Sequence, residues 1–550
     1  MSVRATLLAA VSAASLSVHG LLASDPQTGF PLATTSGPFN KLLVADLSGN
    51  GLPDIVVSRG GNIVAVDGQG NVLPGWPFVL PTSPQEIGGA YLPPLVGDID
   101  GDGELDVVFE GRRSTDKTVY AVTCDGQLKP GWPVEVDAPG SAVRQLCLGD
   151  IDNDGDLEIL VGDGSQLHGI LFVYGGDGQY HPGFPRVFEE LSPIYGIVGV
   201  AVGDLEFDGT NEIVVSFSGY QGTWVPGPVF VLNGDGTTRP GWPAFPPGLG
   251  GPEIAANPAI ADLDGDLTSE IVGNFAHVFV MNRDGTAFAG SYFADASPNV
   301  PLAIADVDSD GSLEVVSAGF EITVWKLGVG IMAQTSSTDE YAFYMAVAVA
   351  DFNGDGLAEI AAWSTNVAGN LEQIHLLDLS MNELPGWPKV FPSWSQFPPR
   401  TLAIADLDGD NDLEVIVGHQ GNLHAWDVEN PGPGVPRVEW GMIGHDAHKA
   451  GFYHTGNLPR RHYLRGDANR SGLVDMADAM AILEYLYSGE TSPCAAQNDF
   501  DVDGAVSMTD AVCLLQYLFF MGSPPGQPPF PECDAAPLGE DLPCRTSFCP

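Results

Sequence analysis

Short apolar runs bounded by glycine, proline and aspartate recur along most of the chain, and each has strand length rather than helix length. In one unit Pro94-Leu-Val-Gly precedes an acidic stretch, Val107-Val-Phe follows it, and Thr118-Val-Tyr-Ala-Val comes next. Asp125-Gly126 then makes a tight hairpin turn that needs positive φ, and a fourth segment starts at Pro130-Gly-Trp132-Pro. Matching turns stand at Asp177-Gly178, Asp235-Gly236 and Asp284-Gly285, and matching tails begin at Pro74, Pro182, Pro240 and Pro385. Four short antiparallel strands per unit predict the blade of an all-β propeller. Beyond residue 464 the period changes. Met476, Met480, Leu483 and Leu486, and again Met508, Val512, Leu515 and Leu518, are spaced for one face of a helix. This predicts two helices that bury those faces against each other.

The polar positions between the strands are as regular as the apolar ones. Asp98-Ile-Asp100-Gly-Asp102-Gly-Glu104-Leu-Asp106 places carboxylates at positions one, three, five and nine, with glycine at six. Carboxylates that close repel one another unless a cation holds them, and oxygen-only ligands suit a hard ion such as Ca²⁺. The pattern occurs eight times, its starts 44 to 58 residues apart, which is the mark of a repeat architecture. The ligand candidates are Asp46, Ser48, Asn50 and Asp54 in the first loop; Asp98, Asp100, Asp102 and Asp106 in the second; and Asp150, Asp152, Asp154 and Glu158 in the third. Asp204, Glu206, Asp208 and Glu212 form the fourth, Asp262, Asp264, Asp266 and Glu270 the fifth, and Asp306, Asp308, Asp310 and Glu314 the sixth. Asp351, Asn353, Asp355 and Glu359 form the seventh, and Asp406, Asp408, Asp410 and Glu414 the eighth. Ser48 and Asn50 replace carboxylates, Glu206 is longer than the usual Asp, and Leu267 and Asn411 replace the turn glycine.

These units resemble the FG-GAP/VCBS repeats of integrin-type calcium β-propellers, from about residue 28 to 455. The resemblance implies that each loop joins the first and second strands of a blade. Eight loops imply eight blades, with seven as the alternative count. The leading Thr28-Gly-Phe30-Pro resembles a last strand standing alone, and is expected to complete the blade begun at Asp406 and so remove a free edge. The C-terminal part carries two twelve-residue loops, Asp467, Asn469, Ser471 and Asp478, then Asp499, Asp501, Asp503 and Asp510, each running into a helix. It resembles a type I dockerin, an EF-hand-like module. That resemblance implies calcium binding and places a cohesin-like partner at Met476-Ala477 and Met508-Thr509.

Charge and composition narrow the function. The balance is 71 acidic against 21 basic residues, formally −50, which repels nucleic acid and anionic membranes. Calcium in about ten loops would cancel roughly twenty of those charges. Residues 1–23 read as a secretory signal, and no other stretch reaches the roughly 18–20 apolar residues of a membrane span. The organisation is then a signal peptide (1–23), a propeller (24–456), a basic linker (457–464) and a dockerin-like domain with a Pro/Cys-rich tail (465–550). Seven cysteines are too few for a disulfide framework and leave one unpaired; Cys513 is the candidate, and a Cys124–Cys147 bond is open.

Two functions compete. One is a secreted calcium-binding scaffold that binds protein or glycan and is tethered to a cohesin-like or other extracellular protein. The other is a calcium-dependent polysaccharide lyase, which needs a base beside a cation. Only His445, His448 and His454, with Lys449, form a cluster outside the repeats, and His445 and His448 are the catalytic candidates; capping the last blade is their plainer role. Trp76, Trp132, Trp242 and Trp387 are suited to sugar stacking, but their recurrence at one repeat position favours packing between blades. The repeat pattern favours the scaffold.

Overall fold

The computed structural model describes residues 24–442, apart from short stretches between strands. Beyond them it describes helices α1 (Met476–Ser488) and α2 (Met508–Phe520), a few residues beside them, and a short strand pair, His462–Tyr463 with Asp534–Ala535. Eight antiparallel sheets succeed one another as the blades of a propeller, which settles the blade count. Blade 2 shows the plan: Leu95–Gly97, Asp106–Arg112, Lys117–Thr123 and Val134–Glu135 pair in sequence order, and the acidic loop joins the first two strands. First strands of neighbouring blades approach one another around the axis. Middle strands such as Glu158–Asp163 and Leu413–His419 are buried along their whole length. Both faces of a blade are covered by its neighbours, so these strands read as continuous apolar runs rather than as alternation.

The ring closes as the sequence predicts. Ser24–Pro26 and Leu32–Ala33 pair with Asn422–Val428, completing blade 8 with strands from the far end of the chain. The Pro-Gly-aromatic-Pro tails knit blade to blade. A Cβ on Gly75 would lie 1.8 Å from the Asp125 carbonyl oxygen, so only glycine fits there. Beside it the Trp76 Nε1–H donates to the Cys124 carbonyl at 2.8 Å, and Trp132 does the same to Gly176 at 2.8 Å. These tryptophans are buried packing elements, not exposed platforms. One strand departs from the repeat. Arg437–Trp440 adds to the inner edge of blade 7, pairing Arg437 with Asp351 and Trp440 with Val349, and Gly441 accepts a hydrogen bond from the Ile404 amide of blade 8.

The helices pack through a different stripe from the one their spacing suggests. Ala479 and Ile482 of α1 meet Ala511 and Leu514 of α2, with Phe500 beside them, while Leu483, Leu486, Leu515 and Leu518 flank this core. Met476, Met480, Met508 and Val512, expected inside, are 59%, 62%, 52% and 45% exposed. Small alanines let the helices approach on their own stripe and leave the longer side chains outside. No disulfide joins Cys124 to Cys147.

Candidate metal centres

Each acidic loop is folded onto itself before any ion is considered. The first aspartate accepts a hydrogen bond from the amide at position six: Gly103 to Asp98 at 2.8 Å, Gly209 to Asp204 at 2.7 Å, Gly356 to Asp351 at 2.9 Å. The acid at position nine is buried, and one of its oxygens accepts the amide at position two, as from Ile151 to Glu158, Leu263 to Glu270 and Leu407 to Glu414. These bonds fix both carboxylates at the strand ends and turn the remaining oxygens into the loop. The turn costs little because its glycines, Gly103 and Gly356 among them, take the positive φ they adopt freely. In blade 5 one oxygen each from Asp262, Asp264 and Glu270 lies within 4.8 Å of the others, and so do those of Asp98, Asp100 and Asp106 in blade 2.

What stands in the middle differs between blades. In blade 2 the Lys129 ammonium lies 2.6 Å from both Asp100 and Asp106, with its side chain only 4% exposed. In blade 4 Arg239 contacts Glu206 at 2.6 Å and also grips Glu212. In blade 6 Lys326 reaches Asp310 and Glu314 at 2.7 Å and Asp308 at 3.3 Å. Burial alone would lower the Lys326 pKa, but hydrogen bonds to Asp310 and Glu314 outweigh it and keep the ammonium charged. His181 reaches Asp152 at 3.1 Å in blade 3. In blade 8 no cationic side chain pairs with the loop acids among the described residues, and the Glu414 Oε1, fully buried, has no hydrogen-bond partner.

Burial raises the ninth-position acids of both groups of blades, Glu212 and Glu314 to about 7 even against Arg239 and Lys326. Burial pushes Glu414 up to about 9, helped by Asp408, Asp427 and Asp406, and pushes Glu270 and Glu359 up to about 8. Asp106, with Lys129 against it, rises only to about 6. An orphaned buried carboxylate oxygen among further carboxylates fits a divalent ion. A carboxylate already bridged by an ammonium does not. The residues of blade 8 therefore suit calcium, with Asp406, Asp408, Asp410 and Glu414 as its holders, whereas in blades 2, 4 and 6 a lysine or arginine already pairs with the same set of carboxylates. Sequence reasoning missed Lys129, Arg239 and Lys326 because they lie 12 to 33 residues beyond the acids they meet. A signal was present in the residue before each Pro-Gly-aromatic-Pro tail: Leu73, Lys129, His181, Arg239 and Leu384.

In the C-terminal domain Asp510 is fully buried at the start of α2 and accepts the Ser507 amide at 2.7 Å. Asp467, Asn469, Ser471, Asp499, Asp501 and Asp503, the side chains of Ala477 and Asp478, the signal segment, Leu267 and the cluster His445, His448 and His454 lie outside the described residues. Met476, Met508 and Thr509 are exposed at the first turns of the helices.

Comparison with known proteins agrees with this anatomy. Residues 46–109 and 150–215 match the FG-GAP-like repeat, and residues 465–519 match the dockerin type I domain. No curated protein sequence matches the chain. Among solved structures, the V. cholerae biofilm matrix protein Bap1 is similar at a TM-score of 0.50 and 13% identity, over 79% of this chain and 96% of that one. The exotype rhamnogalacturonan lyase YesX is similar at 0.46 and 16%, over 74% and 76%. At these identities the likeness to Bap1 speaks for the fold alone. The strand order, the repeated loops and the paired C-terminal helices together identify the chain as an eight-bladed β-propeller of FG-GAP-like repeats with a C-terminal type I dockerin domain.

Proposed function

We propose that this chain is a secreted, calcium-binding propeller scaffold that presents a ligand-binding body and is tethered through its dockerin domain to a cohesin-like protein. The observation that carries the tethering is the pair of exposed apolar sites Met476 with Met480 and Met508 with Val512, repeated at the same offset on α1 and α2. Large apolar side chains left outside a small core mark an interaction face. Calcium, when bound, would neutralise the loop carboxylates that remain without a cation and stiffen the strand ends they join. The test is surface plasmon resonance of the full chain against a panel of type I cohesin modules. Calcium-dependent capture, lost in Met480→Asp combined with Val512→Asp, is the expected result; no capture by any module sinks the tethering.

The ligand-binding part of the reading is supported by a cleft of about 480 Å³ at the seam of blades 7 and 8, lined by Pro31, Pro388, Lys389, Phe391, His424 and Trp426. Lys389 stands 4.8 Å from the Trp387 ring and 5.8 Å from that of Trp426, so aromatic surface and one positive charge face the same space. That combination suits an acidic glycan or peptide. The same cleft is what a polysaccharide lyase would use, with Lys389 neutralising a uronate and His424 as base. Burial and the neighbouring His419 hold His424 down to about 4, far below the range of an efficient base at neutral pH, which favours binding over proton abstraction. Incubation with acidic polysaccharides tests this, and new ultraviolet absorbance of an unsaturated uronate, lost in His424→Ala, would establish the lyase instead.

A further inference from the structure

Blades 2, 4 and 6 and blades 1, 7 and 8 differ at two repeat positions, and the two positions change together. Where the residue before Pro-Gly-aromatic-Pro is Lys129 or Arg239, the residue seven before that proline is neutral, Thr123 or Asn233. Where it is Leu73 or Leu384, the partner position is acidic, Asp67 or Asp378. The acid adds negative charge beside Asp54 or Glu359, and Asp427 does the same beside Glu414, to which it is paired in register. In blade 6 the cation comes from the strand partner itself, since Lys326 is paired in register with Glu314. Six loops thus carry either a paired cation (blades 2, 4 and 6) or an extra carboxylate beside the ninth acid (blades 1, 7 and 8), while blades 3 and 5 place neutral Gly175 and Asn282 at that position.

We propose that six of the eight loops fall into two classes. Blades 2, 4 and 6 hold no divalent ion, because Lys129, Arg239 and Lys326 take its place, and the residue before the tail proline or the strand partner of the ninth acid sets the class. The geometry supports substitution rather than a spectator role. The ammonium groups sit 2.6 to 2.7 Å from the third-, fifth- or ninth-position oxygens that would ligate calcium, close to the 2.3–2.6 Å at which calcium itself binds oxygen. In blades 4 and 6 the cation lies against Oε1 of the ninth acid, whereas no cation pairs with that atom of Glu414 in blade 8 among the described residues. A permanently charged side chain and a divalent ion cannot share that oxygen cage. Three blades are thereby closed without metal, and the propeller keeps part of its loop order when calcium is scarce.

The inference rests on the calcium reading above, and the experiment separates the two. Bound Ca²⁺ per chain is counted by equilibrium dialysis on the full-length protein and on Asp102→Asn (blade 2), Asp410→Asn (blade 8) and Lys129→Leu, each checked for folding by its melting curve. The expected counts are unchanged for Asp102→Asn, one lower for Asp410→Asn and one higher for Lys129→Leu. A count that falls in Asp102→Asn overturns the proposal. If neither Asp variant changes the count, the calcium reading of blade 8 fails, and Lys129→Leu still decides the substitution: a gained ion supports it and no gain overturns it. Should Lys129→Leu fold only when calcium is added, that dependence is itself the support. Should it not fold at all, Lys326→Met in blade 6 gives the same reading by gaining or failing to gain one ion.

Discussion

The propeller and the dockerin helices both have acidic loops beside their regular elements in the sequence, yet the cores those elements share differ greatly in size. Propeller loops cap sheets whose strands are buried over their full length, in apolar clusters that run from blade to blade. The helices share a described core of only Ala479, Ile482, Phe500, Ala511 and Leu514. A two-helix unit that small cannot offset the entropy of ordering its chain by burial alone. Loop chemistry is therefore expected to matter less for the propeller than for the helices.

Chelation should show this contrast most strongly. A site held at a hundred times its dissociation constant contributes about 2.7 kcal/mol, so two such loops contribute about 5 kcal/mol, comparable to the whole stability of a small domain. With excess chelator the helical circular dichroism is expected to vanish at a temperature where the β signal persists. A single transition shifted as a unit would break the comparison. Because α1 and α2 bury one another, Asp467→Ala with Asn469→Ala should also disorder α2. Hydrogen exchange that stays protected over 508–519 in that variant would show that the two halves fold separately.

Cuts into the two cores come next in size. Trp132→Ala removes a buried ring and its hydrogen bond to Gly176, at a cost of about 3–5 kcal/mol. Ile482→Ala costs about 2–5 kcal/mol from a much smaller total. The first is expected to lower the propeller melting temperature and leave it folded, whereas the second unfolds both helices.

The sequence disclosed what was repeated and concealed what occurred once. Eight loops in strand surroundings were enough for the blades, and the lone Thr28-Gly-Phe30-Pro was enough for the closure, because each restates a unit seen elsewhere. The strand Arg437–Trp440 restates nothing, so no periodicity marks it, and only the fold brings it beside Asp351. The helical face was misread by one stripe. Met476 and Met480 have the right spacing and hydrophobicity, but Ala479 and Ala511 allow the closer approach, and proximity decided which stripe was buried. The loop cations were hidden by distance along the chain, although the alternation of Leu73, Lys129, His181, Arg239 and Leu384 already carried the information.

His424 should make acid unfavourable to the folded propeller, opposite in sign to the raised loop glutamates. His424 is partly buried against Trp426, with ring centroids 5.4 Å apart, and its folded pKa, about 4, lies below the ordinary 6.5. The unfolded state thus binds the proton more readily, so stability is lost as pH falls through 6.5 towards 4 and is fully present above that window. Partial exposure limits the effect to about 1–3 kcal/mol. Melting temperature followed from pH 7 to pH 4 should fall less steeply in His424→Phe than in the parent. Equal slopes would remove His424 from the account.

The smallest effect on stability is predicted for the change with the sharpest effect on binding. Met480 and Val512 are 62% and 45% exposed and contribute little to the core between α1 and α2. Replacing each by Asp should alter stability by no more than about 0.5 kcal/mol, the usual range for surface positions. A charge on that face nevertheless has to be desolvated when a cohesin-like partner covers it, and unpaired it opposes docking. The paired variant should keep its calcium-dependent melting and lose capture by the cohesin module. The single variants Met480→Asp and Val512→Asp then sharpen the result. If either site alone suffices for the partner, each single variant retains capture; if both are needed at once, each abolishes it. Capture that survives the double variant would place the partner on another face of the helices.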